Sequence, residues 1–410
     1  MQFPLRPLSE LSDNHDAKRV PVKESDRRTG PYPYYGASGI VDYIDDYRFS
    51  GQFALVAEDG ENLRTRRTPI ASLAEGQFWV NNHAHVLQAK RSANTRFLVY
   101  ALEAANIGAY LTGSTMPKLT QASLGRVLLP APDKREQDAI SHILGTLDDK
   151  IELNRRMNRT LEELARALFT SWFVDFDPVR AKAAGRQPVG MDAATAALFP
   201  IKLVRVNGEH MPEGWRRGTV GDLASLARRS VNPGIFPTEL FDLYSIPSFD
   251  NGKNPAAEFG SAIRSNKALV EPDAILVSKL NPHIPRVWLP RIGPDRRSVC
   301  STEFLVVVPT LSSARPFIYS LFASQPFSRA FAGLVTGTTG SHQRVQPESM
   351  LALSTIVPPK ELIECFSEQT TPLFDRVAVS QRESMHLAAM RDTLLPKLLS
   401  GELSVPFLDI

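Results

Sequence analysis

Apolar residues recur at alternating intervals of three and four along two stretches of the chain. In the first, Ile140, Leu147, Asn154, Leu161 and Leu168 form one set of seam positions, and Leu144, Ile151, Asn158, Ala165 and Trp172 form the other. In the second, Phe366, Leu373, Ser380, Leu387 and Leu394 interleave with Thr370, Val377, Ser384, Arg391 and Leu398. Such spacing holds one narrow stripe on one side of a helix, and it predicts two helices that pair as a coiled coil. Asp133 and Glu136, just after Pro132, fit a capping box at the start of the first helix, and Pro178 limits its far end. Pro372 and Pro396 depart from the pattern and are expected to bend or interrupt the second helix.

Polar residues fall at matching places in the two seams, Asn154 and Asn158 in one, Ser380 and Ser384 in the other. A buried polar layer costs stability but penalises shifted registers. An antiparallel pairing about the midpoints would set Asn154 opposite Ser384 and Asn158 opposite Ser380. The alternative is two ordinary amphipathic helices on separate domains.

The match extends beyond the helices. Shifting the sequence by 226 residues brings Lys118 onto Arg344, Leu147 onto Leu373, Asp149 onto Asp375, Lys150 onto Arg376 and Leu168 onto Leu394. Upstream, Thr112–Ser114 matches Thr339–Ser341 after a one-residue slip, both reading T-G-S. The chain therefore reads as two copies of one plan, a globular part followed by a long helix.

Strand and turn signals fill the globular parts. FALVAED (53–59) and FWVNNHAHVLQA (78–89) read as strands in the first, with turns in TGPYPYYGASG (29–39). AILVSKL (274–280) and STEFLVVVP (301–309) read as strands in the second, followed by a helical stretch near 315–332. The expected organisation is a first domain at 1–132, a spacer helix at 133–175, a linker at 176–211 that is helical in MDAATAALF, a second domain at 212–357, a second spacer helix at 358–403 and a tail at 404–410. The fold class is α+β: two mixed α/β domains separated by two long helices forming an antiparallel coiled coil, with an internal pseudo-twofold repeat.

Length and composition narrow the class. A chain of 410 residues suits two or three folded units, and 43% hydrophobic residues suffice for cores. No run of about 18 apolar residues occurs, and no secretory leader is read at the start, so a cytoplasmic protein without a membrane partner is expected. Cys300 and Cys365 alone cannot support a disulfide framework.

Net charge is only +3, but basic residues cluster. Lys279, Arg286, Arg291, Arg296 and Arg297 are opposed within their segment by Asp295 alone, and Arg64, Arg66 and Arg67 form a second group. Arginine clusters suit phosphates and guanine edges, although a solvated charged loop looks the same in sequence.

Catalytic signatures are absent. The chain has neither a G-x-G-x-x-G turn nor a phosphate-binding G-x-x-x-x-G-K-[ST] loop. Its nearest approach to the Asn- or Asp-Pro-Pro-aromatic motif of amino-methyltransferases is NPHI (281–284), which lacks the second proline and the aromatic. His83 and His85 are expected to point the same way from one strand, but no Cys or carboxylate stands at a supporting spacing, so no metal site is assigned. Asp148 and Asp149 are read as solvated positions on the first long helix. An enzyme with an unrecognised motif and an assembly protein built around its coiled coil both remain open on these features alone.

Several segments, however, resemble the specificity subunits of Type I restriction-modification systems. LDDKIELNRRMN (147–158) with LARALFTSWFVDFDPV (164–179) is similar to that family's central conserved region, and MRDTLLPKLLSGEL (390–403) to its C-terminal one. YYGASGIVDYIDDY (34–47), FWVNNHAHV (78–86), TGSTMPKLTQASL (112–124) and SKLNP (278–282) are similar to parts of its target-recognition domains. The resemblance implies a non-catalytic subunit whose two domains each read half of a split, asymmetric sequence in double-stranded DNA. The spacer helices, about 50 Å along the seam, would hold the domains at a distance compatible with half-sites one duplex turn apart. Two methylation subunits using S-adenosylmethionine and restriction (motor and nuclease) subunits using ATP and magnesium are the implied partners, and no cofactor is assigned to this chain.

Within that frame the candidate DNA-binding residues of the first half are Ser114, Thr115 and Lys118, with Arg64 and Arg66. Those of the second are Ser341, Gln343 and Arg344, with Lys279, Asn281, His283 and Arg286. Gln343 and Arg344 suit adenine and guanine edges, whereas Lys279 and Arg286 suit phosphates. Surface solvation or a turn-stabilising hydrogen bond is the alternative for each.

Overall fold

The computed structural model describes residues 3–206, 208–335 and 343–405. It divides into two compact units, 1–153 with 383–410, and 154–382, so each long helix contributes to both.

Alternating burial builds the first unit. Strand Phe49–Ala57 sends Ala54 and Val56 to a core beneath helix Thr95–Ala104, while Phe53 and Leu55 join Phe78 and Val86 in a second core. The sheet runs Ser12–Asn14, Ala84–Ala89, Phe49–Ala57, Ala71–Val80, Thr29–Gly36, Gly39–Ile44. Only the Thr29–Gly36 and Ala71–Val80 pair is parallel. The segment 78–89, expected as one strand, is split by a turn in which the Asn81 side chain accepts the His83 backbone N–H at 2.8 Å. His83 is therefore exposed in a turn while His85 is buried in the next strand, which corrects the expectation that they point the same way.

The second unit repeats the plan. Its four-stranded sheet runs Ala224–Leu226, Phe304–Pro309, Ile275–Ser278, Val287–Trp288, antiparallel throughout. This is the order and sense of the first four strands of the other unit. A short strand and helix precede each sheet, Leu5–Pro7 with Leu8–Leu11 in one and Arg216–Thr219 with Val220–Leu223 in the other. The short strands pair with Leu128–Pro130 and Ser354–Val357, each of which leads into a long helix. The second unit adds a five-stranded sheet, ordered Ser230–Val231, Lys267–Leu269, Ser298–Cys300, Leu240–Tyr244, Ala256–Phe259. Residues 176–211 are built into its core through Phe176, Val179, Phe199 and Met211.

The long helices are Lys134–Phe169 and Lys360–Ser400. Asp133 Oδ1 accepts the Glu136 N–H at 2.9 Å, capping the first. The second runs unbroken through Pro372 and Pro396. Around Pro372, the Thr370 and Thr371 hydroxyls donate to the Phe366 and Ser367 carbonyls at 2.8 and 2.7 Å, in the turn where a proline disturbs the backbone ladder. Within each unit the helices run antiparallel. In the first, Arg391 pairs with Asp148 at 2.8 Å and Lys150 with Glu383 at 3.5 Å. In the second, the Phe169 ring meets Phe366 at 5.8 Å, and the Asn154 amide donates to the Ser380 carbonyl at 3.4 Å. Asn154 thus reaches the Ser380 carbonyl within the second unit.

Asp148 and Asp149 are both engaged by side chains of the globular part. Tyr100 Oη donates to Asp148 at 2.5 Å, and Arg96 pairs with Asp149. In the second unit Arg291 pairs with Asp375 at 2.7 Å. Asp149 and Asp375 are matched positions of the repeat, and each receives an arginine from the globular part of its own unit. Among the described residues, no helix is long and apolar enough to cross a membrane.

Candidate nucleic-acid interface

In the first unit the ladder between Phe49–Ala57 and Ala84–Ala89 continues for one residue, because the Glu58 N–H donates to the His83 carbonyl at 2.9 Å. The chain at 117–119 lies across this strand end. The Leu119 N–H donates to the Glu58 carbonyl at 2.8 Å, and the Gly60 N–H to the Pro117 carbonyl at 3.1 Å. Lys118 stands opposite Asp59 and Thr112, closing a tight loop that carries exposed Ser114 and Thr115. Gly113 makes the loop possible: its φ is +86°, and a Cβ there would lie 2.2 Å from the Met116 carbonyl oxygen.

The second unit builds the same corner with other residues. The Lys279 N–H donates to the Glu303 carbonyl at 2.9 Å, the Val345 N–H to the Lys279 carbonyl at 3.1 Å, and the Asn281 N–H to the Gln343 carbonyl at 2.8 Å. Leu280 stands opposite Arg344. Bond for bond, Glu58, Gly60, His83, Pro117 and Lys118 correspond to Lys279, Asn281, Glu303, Gln343 and Arg344. Two groups separated by about sixty residues of sequence, Lys279 with Asn281 and Gln343 with Arg344, thereby form one surface. Ser341 lies outside the described residues.

Each loop cation is ion-paired. Lys118 Nζ lies 3.1 Å from Glu58 Oε1, and Arg344 holds Glu303 through Nη2 at 2.8 Å and Nε at 3.0 Å. Burial acts to raise the Glu58 pKa, but hydrogen bonds from Arg19 and Lys118 outweigh it and leave the carboxyl below its usual range. Behind Glu58, buried His85 is 2.5 Å from Asp16 through Nδ1 and donates from Nε2 to the Leu119 carbonyl at 2.7 Å, tying the loop to the sheet.

Asp16, Glu58 and His85 offer atoms within 4.8 Å of one another, close enough for a metal. The donor set does not fit one. Both His85 nitrogens are engaged, and Arg19 and Lys118 already supply positive charge to Glu58.

The other candidates separate into loop neighbours and structural groups. Arg64 reaches the Gly113 carbonyl at 3.1 Å and so joins the first corner. Arg66 instead donates to the Glu103 and Ala105 carbonyls, at 3.1 and 2.7 Å, at the end of helix Thr95–Ala104. Arg286 forms a two-point pair with Asp250 at 2.8 and 2.9 Å, and its side chain is only 11% exposed. His283 is exposed in the loop beside Asn281. The basic run after Lys279 is consumed one residue at a time, Arg291 by Asp375, Arg296 by Asp242 and Arg297 by Glu239. Lys279 has no ion pair among the described residues. Glu58, Glu303, Arg19 and Asp16 escaped the sequence reading because only the strand register brings them to the loops.

Residues 3–163 match the Type I restriction modification DNA specificity domain. The Type I restriction enzyme HindI specificity subunit of Haemophilus influenzae is 28% identical over 335 residues, 70% of this chain and 72% of that protein. The MjaIX specificity subunit of Methanocaldococcus jannaschii is 25% identical over 369 residues, 84% of this chain and 78% of that protein. Over most of its length the chain is thus similar to Type I specificity subunits. Its fold agrees with the crystal structure of the S subunit of a Type I system from M. genitalium, at a TM-score of 0.58 and 15% identity over 97% of this chain and 96% of that one. The matched residues contain the first corner complete, from Glu58 to Lys118, together with most of the first long helix.

Gly60 and Asn281 occupy equivalent turns with φ of +110° and +51°, and the latter lies in the left-handed region that asparagine tolerates better than other non-glycine residues. Asn281→Gly is expected to leave thermal stability unchanged within error, whereas Asn281→Ala should lose about 1 kcal/mol. Equal losses in urea unfolding would show that the left-handed backbone is not what Asn281 serves. Any change of DNA preference in Asn281→Gly then belongs to its side chain.

Proposed function

We propose that this chain is the DNA-reading subunit of a Type I restriction-modification complex, one corner reading each half of a split, asymmetric sequence in double-stranded DNA. The observation that carries the reading is the same strand-end corner built twice on one chain, each with a cation on its crossing loop. Ser114, Thr115, Lys118 and Arg64 are the contacts of the first half, and Lys279, Asn281, His283, Gln343 and Arg344 those of the second. Arg344 and Gln343 have the donors for guanine and adenine edges, while Lys118 and Lys279 serve phosphates. Arg66 and Arg286 are engaged by the protein's own acceptors and support the corners instead.

Chemistry then falls to the partners. Two methylation subunits, using S-adenosylmethionine, methylate adenine at sites this chain selects. Restriction subunits, using ATP and magnesium, cut DNA that lacks the mark. Co-expression with the methylation subunit, followed by single-molecule mapping of N6-methyladenine across the host genome, tests the assignment. The expected result is one split motif with a fixed gap, lost when this chain is deleted. Assembly of the complex without any new methylated motif would overturn it and favour an assembly role.

A further inference from the structure

The ion pair closes both corners although its acid comes from opposite strands. Glu58 follows strand Phe49–Ala57 and faces His83 across the ladder, whereas Glu303 precedes strand Phe304–Pro309 and faces Lys279. The two facing positions thus hold an acid and a basic residue in reversed order in the two halves. In each half the acid still reaches the loop cation, Lys118 at 3.1 Å or Arg344 at 2.8 Å. What recurs is the pair itself and not a copied sequence position. A carboxylate is also the wrong charge for a surface meant to meet phosphates, so its recurrence there calls for a function.

We infer that Glu58 and Glu303 are specificity-determining residues, which restrain the loop cations from arbitrary phosphates and so weaken binding to sequences other than the target. The inference rests on the reading that the two corners bind DNA. Non-specific binding is almost entirely electrostatic, so a cation already engaged by a carboxylate contributes little to it. The two-point hold from Nε and Nη2 also fixes the plane of the Arg344 guanidinium. A planar fork held in place favours a base edge that matches it over a phosphate elsewhere, because reaching the phosphate would break the pair with Glu303. Lys118 is a point charge, so Glu58 restrains it without fixing an orientation.

Glu303→Gln, which preserves shape and removes the charge, tests this in the full-length chain assembled with its methylation subunits. Affinity is measured across a salt series for duplexes with and without the mapped motif. The duplex without the motif should bind about two- to fivefold tighter, the motif duplex should gain less, and the ratio between them should fall. The non-specific salt slope should steepen by about 0.9 as one more cation neutralises a phosphate. Glu58→Gln should act in the same direction in the first half, but Glu58 also holds Arg19, so Glu303 decides. An unchanged ratio and slope would overturn the inference, as would equal weakening on both duplexes at an unchanged melting temperature. A wild-type complex whose duplex binding ignores salt would instead overturn the DNA-binding reading itself, which separates the two failures.

Discussion

Replacing residues 1–132 by the equivalent part of a Type I specificity subunit is expected to change one half of the methylated motif and leave the other half unaltered. The expectation follows from how each corner is made. Every hydrogen bond that builds the first corner, from Glu58 to Leu119, lies within the exchanged segment, and every one that builds the second lies between Lys279 and Val345. Yet the first unit does not end at residue 132. Ile140 and Leu144 of one long helix and Leu398 and Leu399 of the other are buried in the same core as Leu8, Phe97 and Leu98. A foreign domain therefore meets native helix residues that it was not shaped to fit, and each cavity left by a missing leucine-sized group costs about 2–5 kcal/mol. A second exchange, taking 1–153 together with 383–410, carries the whole core across. Both chimaeras should show the same altered half-motif in the methylation map, and the second should melt at a higher temperature. A change in both half-motifs, or in neither although the complex assembles, would refute the assignment of one half-site to each corner.

Much of this organisation was legible in the sequence, because periodicity and repetition survive where identity does not. The seam spacing marked both long helices, and the register that set Lys118 on Arg344 agrees with the backbone bonds, which place these two residues at equivalent points of the two corners. Pairings between distant residues were not legible. A run of arginines after Lys279 looks like a DNA-binding strip in one dimension. In three dimensions Asp250, Asp375, Asp242 and Glu239 arrive from remote segments and engage it. Asp148 and Asp149 read as solvated helix positions because the groups that engage them, Tyr100 and Arg96, come from the globular part. His85 read as pointing the same way as His83 from one strand until the Asn81 turn separated the two. The polar layer was visible as composition. Within the second unit Asn154 reaches the Ser380 carbonyl, and Phe169 packs on Phe366.

Phe366→Ala is expected to be the most destabilising of the substitutions considered, and to act on the second unit alone. Its ring is fully buried and packs against Phe169, Trp172, Phe173 and Phe317, with centroids 5.3–6.1 Å away. Truncating such a side chain costs about 3–5 kcal/mol through lost burial and the cavity left behind. By comparison, the exposed Arg291–Asp375 pair that joins the same helix to the globular part is worth about 0–1 kcal/mol. Packing, not ion pairing, therefore holds the second long helix against its domain. A unit of this size loses roughly 2–4 °C of melting temperature per kcal/mol, so a fall of about 6–20 °C is expected. The first unit has a separate core around Phe97 and Leu98, to which Phe366 does not belong. Calorimetry of the full chain should accordingly show one transition moving down while the other stays in place. On the proposed reading, the half-motif assigned to the Arg344 corner should fade first as temperature rises. Equal falls in both transitions would show that the units unfold as one, and a shift below about 2 °C would remove Phe366 from the centre of the second core.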